Sequence, residues 1–372
     1  MMRILIAPDS FKDSLSAQKV AESLAKGIKN TFPKAEITLL PLADGGEGTL
    51  EAIKGNLEYI KCMASDPLFR KIESKYLWDE KTKTAFVEMA QISGLELVIE
   101  SERNPLKTTT LGTGELIAHA LKRKAKKVIL FVGGSATNDS GIGMAAALGY
   151  MFFDKNGNTL NPNGEGLNEI NTIDYHSIFD LSKTEFIVAT DVTNPFFGEK
   201  GAAHIYAKQK GANQEQIEFL DKGLRNLNSV LIKTKGIDLQ TIAGSGAAGG
   251  LAGGAYAFLG AKVVSAAEEI FKICDLQTKI EQSDVIISGE GRIDSQTWSG
   301  KLVSKLLENT NHKKVILVGG TVETDLTDKP NILKTYQIKT PEMTLDFAKA
   351  EAGELLVDKG AELGRFLIDF II

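Results

Sequence analysis

The chain has 372 residues, 43% of them apolar and 24% charged, which is ordinary for a globular protein and long enough for two domains with a real core. A net charge of -5, with lysines spread among acids, gives no general electrostatic reason to bind nucleic acid, so an anionic ligand must be held locally. Cys62 and Cys274 stand alone and His119, His176, His204 and His312 fall in no metal-binding spacing, which argues against zinc and disulfide frameworks and for a reducing compartment.

Met1-Met2-Arg3 leads at once into Ile4-Leu5-Ile6 without the pattern of a signal peptide, and a cytoplasmic location is expected. Arg3 to Pro8 reads as a strand ending at Asp9-Ser10-Phe11-Lys12. A helix capped by Ser16 follows, with Ala17, Val20, Ala21, Leu24, Ala25 and Ile28 on one face. A second strand, Ile37 to Leu42, ends at Asp44-Gly45-Gly46-Glu47-Gly48-Thr49, where Glu47 suits the first turn of the next helix. Near Asp66-Pro67 the pattern changes, and Lys71 to Trp78 with Thr84 to Met89 predict a hairpin through Asp79-Glu80-Lys81-Thr82.

The most strongly patterned stretch is Lys127 to Gly149. An apolar strand, buried on both faces, runs into Gly133-Gly134-Ser135-Ala136-Thr137-Asn138-Asp139 and then a small-residue helix. Such a turn offers backbone N–H groups and hydroxyls to a phosphate, which makes Gly133, Gly134, Ser135, Thr137 and Asn138 the candidate nucleotide-binding residues. A plain turn with Asn138 or Asp139 as N-cap is an equal alternative. Tyr150 to Asp154 with Asn156-Gly157-Asn158 predicts a further hairpin, Glu185 to Ala189 a strand ending at Thr190-Asp191-Val192-Thr193-Asn194-Pro195, and Gln214 to Leu231 a long polar helix. Leu239 to Ala261 carries no charge and has Gly246, Gly250 and Gly254 four apart, but holds too few large apolar residues for a membrane span. From Asp284 the α/β rhythm returns: Val285-Ile286-Ile287 ends at Gly289-Glu290-Gly291-Arg292-Ile293-Asp294, a helix starts near Gly300, Val315 to Val318 ends at Gly319-Gly320, and a last helix spans Leu345 to Phe366.

Neither end completes an open sheet alone. The expected architecture is an α/β protein with a Rossmann-like, doubly wound parallel sheet built from residues 1–65 and 283–372, and an inserted α/β domain over 66–282.

Asp9, Asp44, Asp191 and Glu290 each follow an apolar strand, at the end where open α/β sheets bind ligands. With Lys12, Arg292 and Lys301 nearby in sequence they form a parts list for phosphoryl transfer: acids for Mg²⁺ or proton removal, cations for phosphate charge. About half of such acids serve only as caps. The chain has no Walker A sequence and no nucleophile elbow. Gly244-Ser245-Gly246-Ala247-Ala248-Gly249 matches a dinucleotide fingerprint, although Asp238 to Ala243 makes a weak strand before it. An NAD(P)-dependent oxidoreductase using Gly244–Gly249 and a non-catalytic binding protein are the competing readings.

Ala7 to Lys12, Pro41 to Thr49, Gly133 to Asp139, Ala189 to Pro195, Gly246 to Leu251, and Gly289 to Asp294 with Gln296-Thr297 together resemble the bacterial type I glycerate kinase (glycerate 2-kinase) family, in collinear order over nearly the whole chain. The resemblance implies a kinase using ATP and Mg²⁺ to phosphorylate D-glycerate in a cleft between a Rossmann-like and an inserted domain. It points to the 2-hydroxyl, while the residues leave 3-phosphoglycerate open as the product. Tyr206 to Ala212 departs from the family's usual form, which has Pro in place of Lys208. The resemblance brings no residue roles; these come from the chemistry of the loops. With no histidine in any candidate loop the base is a carboxylate, first Asp191 and next Asp44, with Lys12 and Arg292 as catalytic cations. Ser10, Asp44, Gly45, Gly46, Asn194, Glu290 and Asp294 are the expected substrate-binding residues, and Asp44 with Asp294 the metal ligands.

Overall fold

The structure, a computed structural model, describes residues 2–176, 178–298, 302–310, 312–323 and 331–371. The chain forms two compact units, Met1–Asp44 with Glu51–Gly55 and Ala267–Ile372, and Gly45–Leu50 with Asn56–Ala266.

The first unit is built on a five-stranded, wholly parallel sheet in the order Ile332–Gln337, Lys314–Gly319, Val285–Ser288, Arg3–Ile6, Glu36–Leu39. The inner strands are apolar on both faces because helices cover both: Ile4, Leu5, Ile6, Ile286, Ile287 and Ile316 are all buried. Helix Ala17–Thr31 starts where the Ser16 hydroxyl accepts the Lys19 N–H, and it buries Val20, Ala21, Leu24 and Ile28. It lies against helix Ala352–Ile371 with backbones almost touching. A Cβ on Gly27 would fall 2.0 Å from the Val357 carbonyl oxygen, so glycine is required by the approach itself.

The second unit has a six-stranded mixed sheet in the order Lys262–Val264, Glu185–Ala189, Lys127–Phe131, Thr84–Glu88, Lys71–Asp79, Glu58–Ser65. The first four strands are parallel, and the hairpin expected after Asp66 supplies the antiparallel end. Its core gathers Tyr76, Trp78, Leu130, Phe152, Phe196 and Leu224. Helix Gln214–Lys235 opens with a reciprocal capping box, Asn213 with Gln216, and closes at Gly236, φ +67°.

Several expectations shift. Residues 58–65 pair along their whole length with Lys71–Asp79, which draws them from the first unit into the second, while helices Ala266–Ile273 and Leu276–Gln282 fall largely or wholly in the first. The strand Tyr150–Phe153 turns at Asp154, whose carboxylate accepts the Asn156 and Asn158 N–H groups, and Phe153 bridges antiparallel to Thr159 as the expected hairpin requires, while the strand's longer pairing is with Thr172–Tyr175. The last helix is two, Leu345–Ala350 and Ala352–Ile371. Gly300 and Lys301 lie outside the described residues, and the helix expected there runs Leu302–Asn309. No helix among the described residues is long and apolar enough to cross a membrane.

Candidate functional site

In the first unit the chain leaves Arg3–Ile6 through a helix to Glu36–Leu39 on one side. It leaves Val285–Ser288 through Leu302–Asn309 to Lys314–Gly319 on the other. The winding therefore reverses between Arg3–Ile6 and Val285–Ser288, and the crevice beyond the carboxyl ends of two such strands is the ligand site of open α/β sheets. The loops that bound it are Asp9–Lys12 and Gly289–Asp294. They run side by side: Asp9 N–H donates to the Gly289 carbonyl at 2.8 Å, and a Cβ on Gly291 would lie 3.4 Å from the Lys12 backbone nitrogen.

Asp9 sits at this point, half-buried, with Oδ1 accepting the Ser10 N–H at 2.6 Å. Burial pushes its carboxyl up to about 7; the charge of Asp44 adds to this and that of Glu290 adds less, against the opposing Ser10 bond. The expected site residues Asp44 and Glu290 thus come within electrostatic reach of Asp9, an acid the sequence placed at a strand end without giving it a role. Only the strand order singles it out. Ser10 is half-buried and Lys12 exposed. Arg292, its side chain 63% exposed, donates through Nη2 to Glu323 at 2.6 Å and faces Asp294 through Nε at 3.1 Å, so Asp294 balances an arginine in the same loop.

In the second unit the turn Gly133–Asp139 interlocks with Gly45–Thr49. Gly133 N–H donates to the Gly45 carbonyl at 2.9 Å, and a Cβ on Gly133 would lie 2.5 Å from the Gly46 Cα. The Glu47 carboxylate occupies the space beside Gly134, φ +72°. Glu88, a buried acid that the sequence reading passed over, holds the same segment by accepting the Gly48, Leu50 and Gln91 donors, and burial raises its carboxyl pKa. These glycines therefore serve close backbone packing as well as a turn.

Further along, Asp139 is the structural member: it accepts the N–H and hydroxyl of Thr110 at 2.7 and 2.8 Å and the N–H groups of Gly141 and Gly143. The Thr137 hydroxyl and both polar atoms of the Asn138 side chain are buried with no hydrogen-bond partner among the described residues. Lys210, also passed over, is buried and donates to Ser135 Oγ and the Thr137 carbonyl, both at 2.6 Å. Burial lowers its ammonium to about 7, against a partly offsetting Asp139 charge.

The remaining candidates are tied into the loops after Glu185–Ala189. Asp191 Oδ1 accepts the Ser265 hydroxyl at 2.8 Å. Asn194 accepts from the Tyr206 hydroxyl at 2.6 Å and donates to the Lys200 carbonyl at 2.9 Å, so its amide holds the loop together. The glycines at 244–249 pack on the same loops: a Cβ on Gly246 would fall 2.1 Å from the Pro195 carbonyl, and one on Gly249 2.1 Å from that of Thr137. The residues before them form a 3₁₀ turn, Leu239–Thr241, where a dinucleotide fingerprint requires a strand, which removes the oxidoreductase reading.

A sequence model described as the Glycerate kinase family matches residues 4–368. The glycerate 2-kinase of Escherichia coli (strain K12) is 41% identical over 354 residues, covering 93% of each chain. A glycerate kinase of Halalkalibacterium halodurans is 41% identical over 306 residues, covering 81% of this chain and 80% of its own. The crystal structure of a candidate glycerate kinase 2 from Salmonella typhimurium LT2 superposes with a TM-score of 0.86 at 37% identity, covering 99% of this chain and 98% of that one. A family match over nearly the full length, with relatives of this similarity, means that the chain is an enzyme and belongs to the glycerate kinase family.

Proposed function

We propose that the enzyme transfers the γ-phosphoryl group of ATP to the 2-hydroxyl of D-glycerate in the cytoplasm, with Mg²⁺, and that Asp9 is the base. The observation that carries the reading is the position of Asp9 at the winding reversal, beside Asp44 and Glu290, with a carboxyl near 7. A proton acceptor works best when its pKa lies near the operating pH. As the glycerate oxygen bonds to the γ-phosphorus and the bond from that phosphorus to the β-bridging oxygen breaks, the hydroxyl proton passes to the Asp9 carboxylate, and ADP leaves. Asp9 is preferred to Asp191 because it stands at the winding reversal of the parallel sheet, whereas Asp191 lies in the loops after Glu185–Ala189, where it accepts the hydrogen bond of the Ser265 hydroxyl.

Lys12 and Arg292 supply positive charge on the loops that bound the crevice, suited to the glycerate carboxylate, with Ser10 as a hydroxyl donor nearby. The carboxylate oxygens of Asp44 and Glu290 are hard donors of the kind Mg²⁺ prefers. Mg²⁺ usually takes one or two protein carboxylates and completes its shell with water and phosphate. The metal would neutralise phosphate charge, and Asp44 would hold it in preference to Asp294, which faces Arg292. The name of the Escherichia coli relative, glycerate 2-kinase, supports the 2-hydroxyl over the 3-hydroxyl.

Purified protein with ATP, Mg²⁺ and D-glycerate should form ADP only when glycerate is present, and phosphorus NMR of the product should show 2-phosphoglycerate. Formation of 3-phosphoglycerate would overturn the regiochemistry, and glycerate-independent ADP release the acceptor.

A further inference from the structure

The turn Gly133–Asp139 carries more buried polarity than a turn needs. Its backbone is well provided for: Ala136 N–H donates to Ser93, Ser140 N–H to Gly249, and Asp139 gathers four donors. The side chains are not. The hydroxyl of Thr137 and the carboxamide of Asn138, both residues 0% exposed, have no partner among the described residues, so three polar atoms on consecutive residues have given up water without a hydrogen bond in return. Behind them lies Lys210, 1% exposed, its ammonium bonded to two neutral oxygens, Ser135 Oγ and the Thr137 carbonyl. Among the described residues those two oxygens are its hydrogen-bond partners, and the charge of Asp139 offsets its burial only in part without forming an ion pair with it. Burying a lysine without an anion destabilises a fold, and an apolar residue there would serve packing better.

We infer that Thr137, Asn138 and the Lys210 ammonium form a subsite for the phosphate oxygens of the phosphoryl donor. The inference rests on ATP being that donor. Two features converge on a phosphate: the third ammonium hydrogen of Lys210, the Thr137 hydroxyl and the Asn138 amide are all donors, and all three residues are buried. Neutral acceptors hold the lysine, so it can exchange them for phosphate oxygens with a gain in charge-assisted bonding. The depressed pKa of the buried ammonium agrees with a cation kept short of an anion. Since neither Thr137 nor Asn138 reaches solvent, occupation requires that exchange, and Lys210 is the latch that governs it.

The test uses the full-length enzyme with MgATP and MgADP as probes. Thr137→Val and Asn138→Leu remove the polar atoms at nearly constant volume, and Lys210→Met removes the charge. Each should hold or raise the melting temperature while raising KM for ATP and Kd for MgADP about tenfold or more, with KM for D-glycerate within about twofold. Lys210→Arg should recover part of the ATP affinity that Lys210→Met loses. Unchanged ATP and ADP affinity in folded Thr137→Val would overturn the subsite and leave a buried polar turn only. A rise in the glycerate KM alone would overturn the assignment to the donor. Should Asn138→Leu or Lys210→Met fail to fold, Thr137→Val, the smallest change, decides. Failure of the wild-type enzyme to turn over ATP would refute the proposed reaction itself, which separates that failure from a failure of the subsite.

Discussion

Replacing Asp9 by Asn tests the site at its most exposed physical point. Asn keeps the shape and can still accept the Ser10 N–H, but it carries no charge beside Asp44 and Glu290. The wild-type carboxyl rises from 3.8 to about 7 on folding, so between those values the folded state binds the extra proton and stability falls as pH rises. About three pKa units at about 1.4 kcal/mol each set an upper figure of about 4 kcal/mol for the ionised group at pH 8. Relaxation of the neighbouring acids reduces it, and we expect Asp9→Asn to stabilise by about 1–3 kcal/mol at pH 8, and by little near pH 4, where Asp9 is protonated. Melting curves of both proteins from pH 4 to 8 read this directly, and assays at pH 8 should show kcat reduced by about 100-fold or more. Equal melting temperatures across that range, or near-normal kcat in the variant, would refute Asp9 as the base.

Arg292→Ala removes a cation from the loop opposite Asp9. If it binds substrate, the loss of a charge-assisted bond of about 1.5–3 kcal/mol lowers kcat/KM about 10- to 100-fold, and unchanged kinetics in a folded variant would take Arg292 out of the site. Asp191→Asn keeps an oxygen to accept the Ser265 hydroxyl, so the fold should persist with kcat within about threefold of wild type; a fall of about 100-fold would return the base to Asp191. Gly27→Ala puts a methyl 2.0 Å from the Val357 carbonyl and must push the two helices apart, costing about 1–3 kcal/mol in a urea titration, and an unchanged midpoint would refute the close approach.

Local periodicity made most elements legible, because helix and strand formation depends on neighbours three, four or two residues away. The Ser16 cap, the strands Arg3–Ile6, Lys127–Phe131 and Glu185–Ala189, and the hairpin after Asp66 are of this kind. So is the placing of acids directly after strands, which only needs adjacency in the chain. The domain boundary was less legible, since a strand such as Glu58–Ser65 looks the same whichever sheet it joins, and its pairing with Lys71–Asp79 moves it to the second unit.

What the sequence determined by itself is the family, from six motifs in order, and the kinds of group in its candidate loops: carboxylates, a few cations and glycine turns, with none of the four histidines among them. Which of those groups meet was decided by the tertiary structure. Asp9 and Glu290 are 281 residues apart, and they share a crevice only because the sheet order sets Arg3–Ile6 beside Val285–Ser288 and reverses its winding between them. Gly133 and Gly46, or Lys210 and Ser135, likewise become partners only once the loops pack. A pKa near 7 at Asp9 or Lys210 is a property of lost water and neighbouring charge, and both of those exist only after the chain has folded.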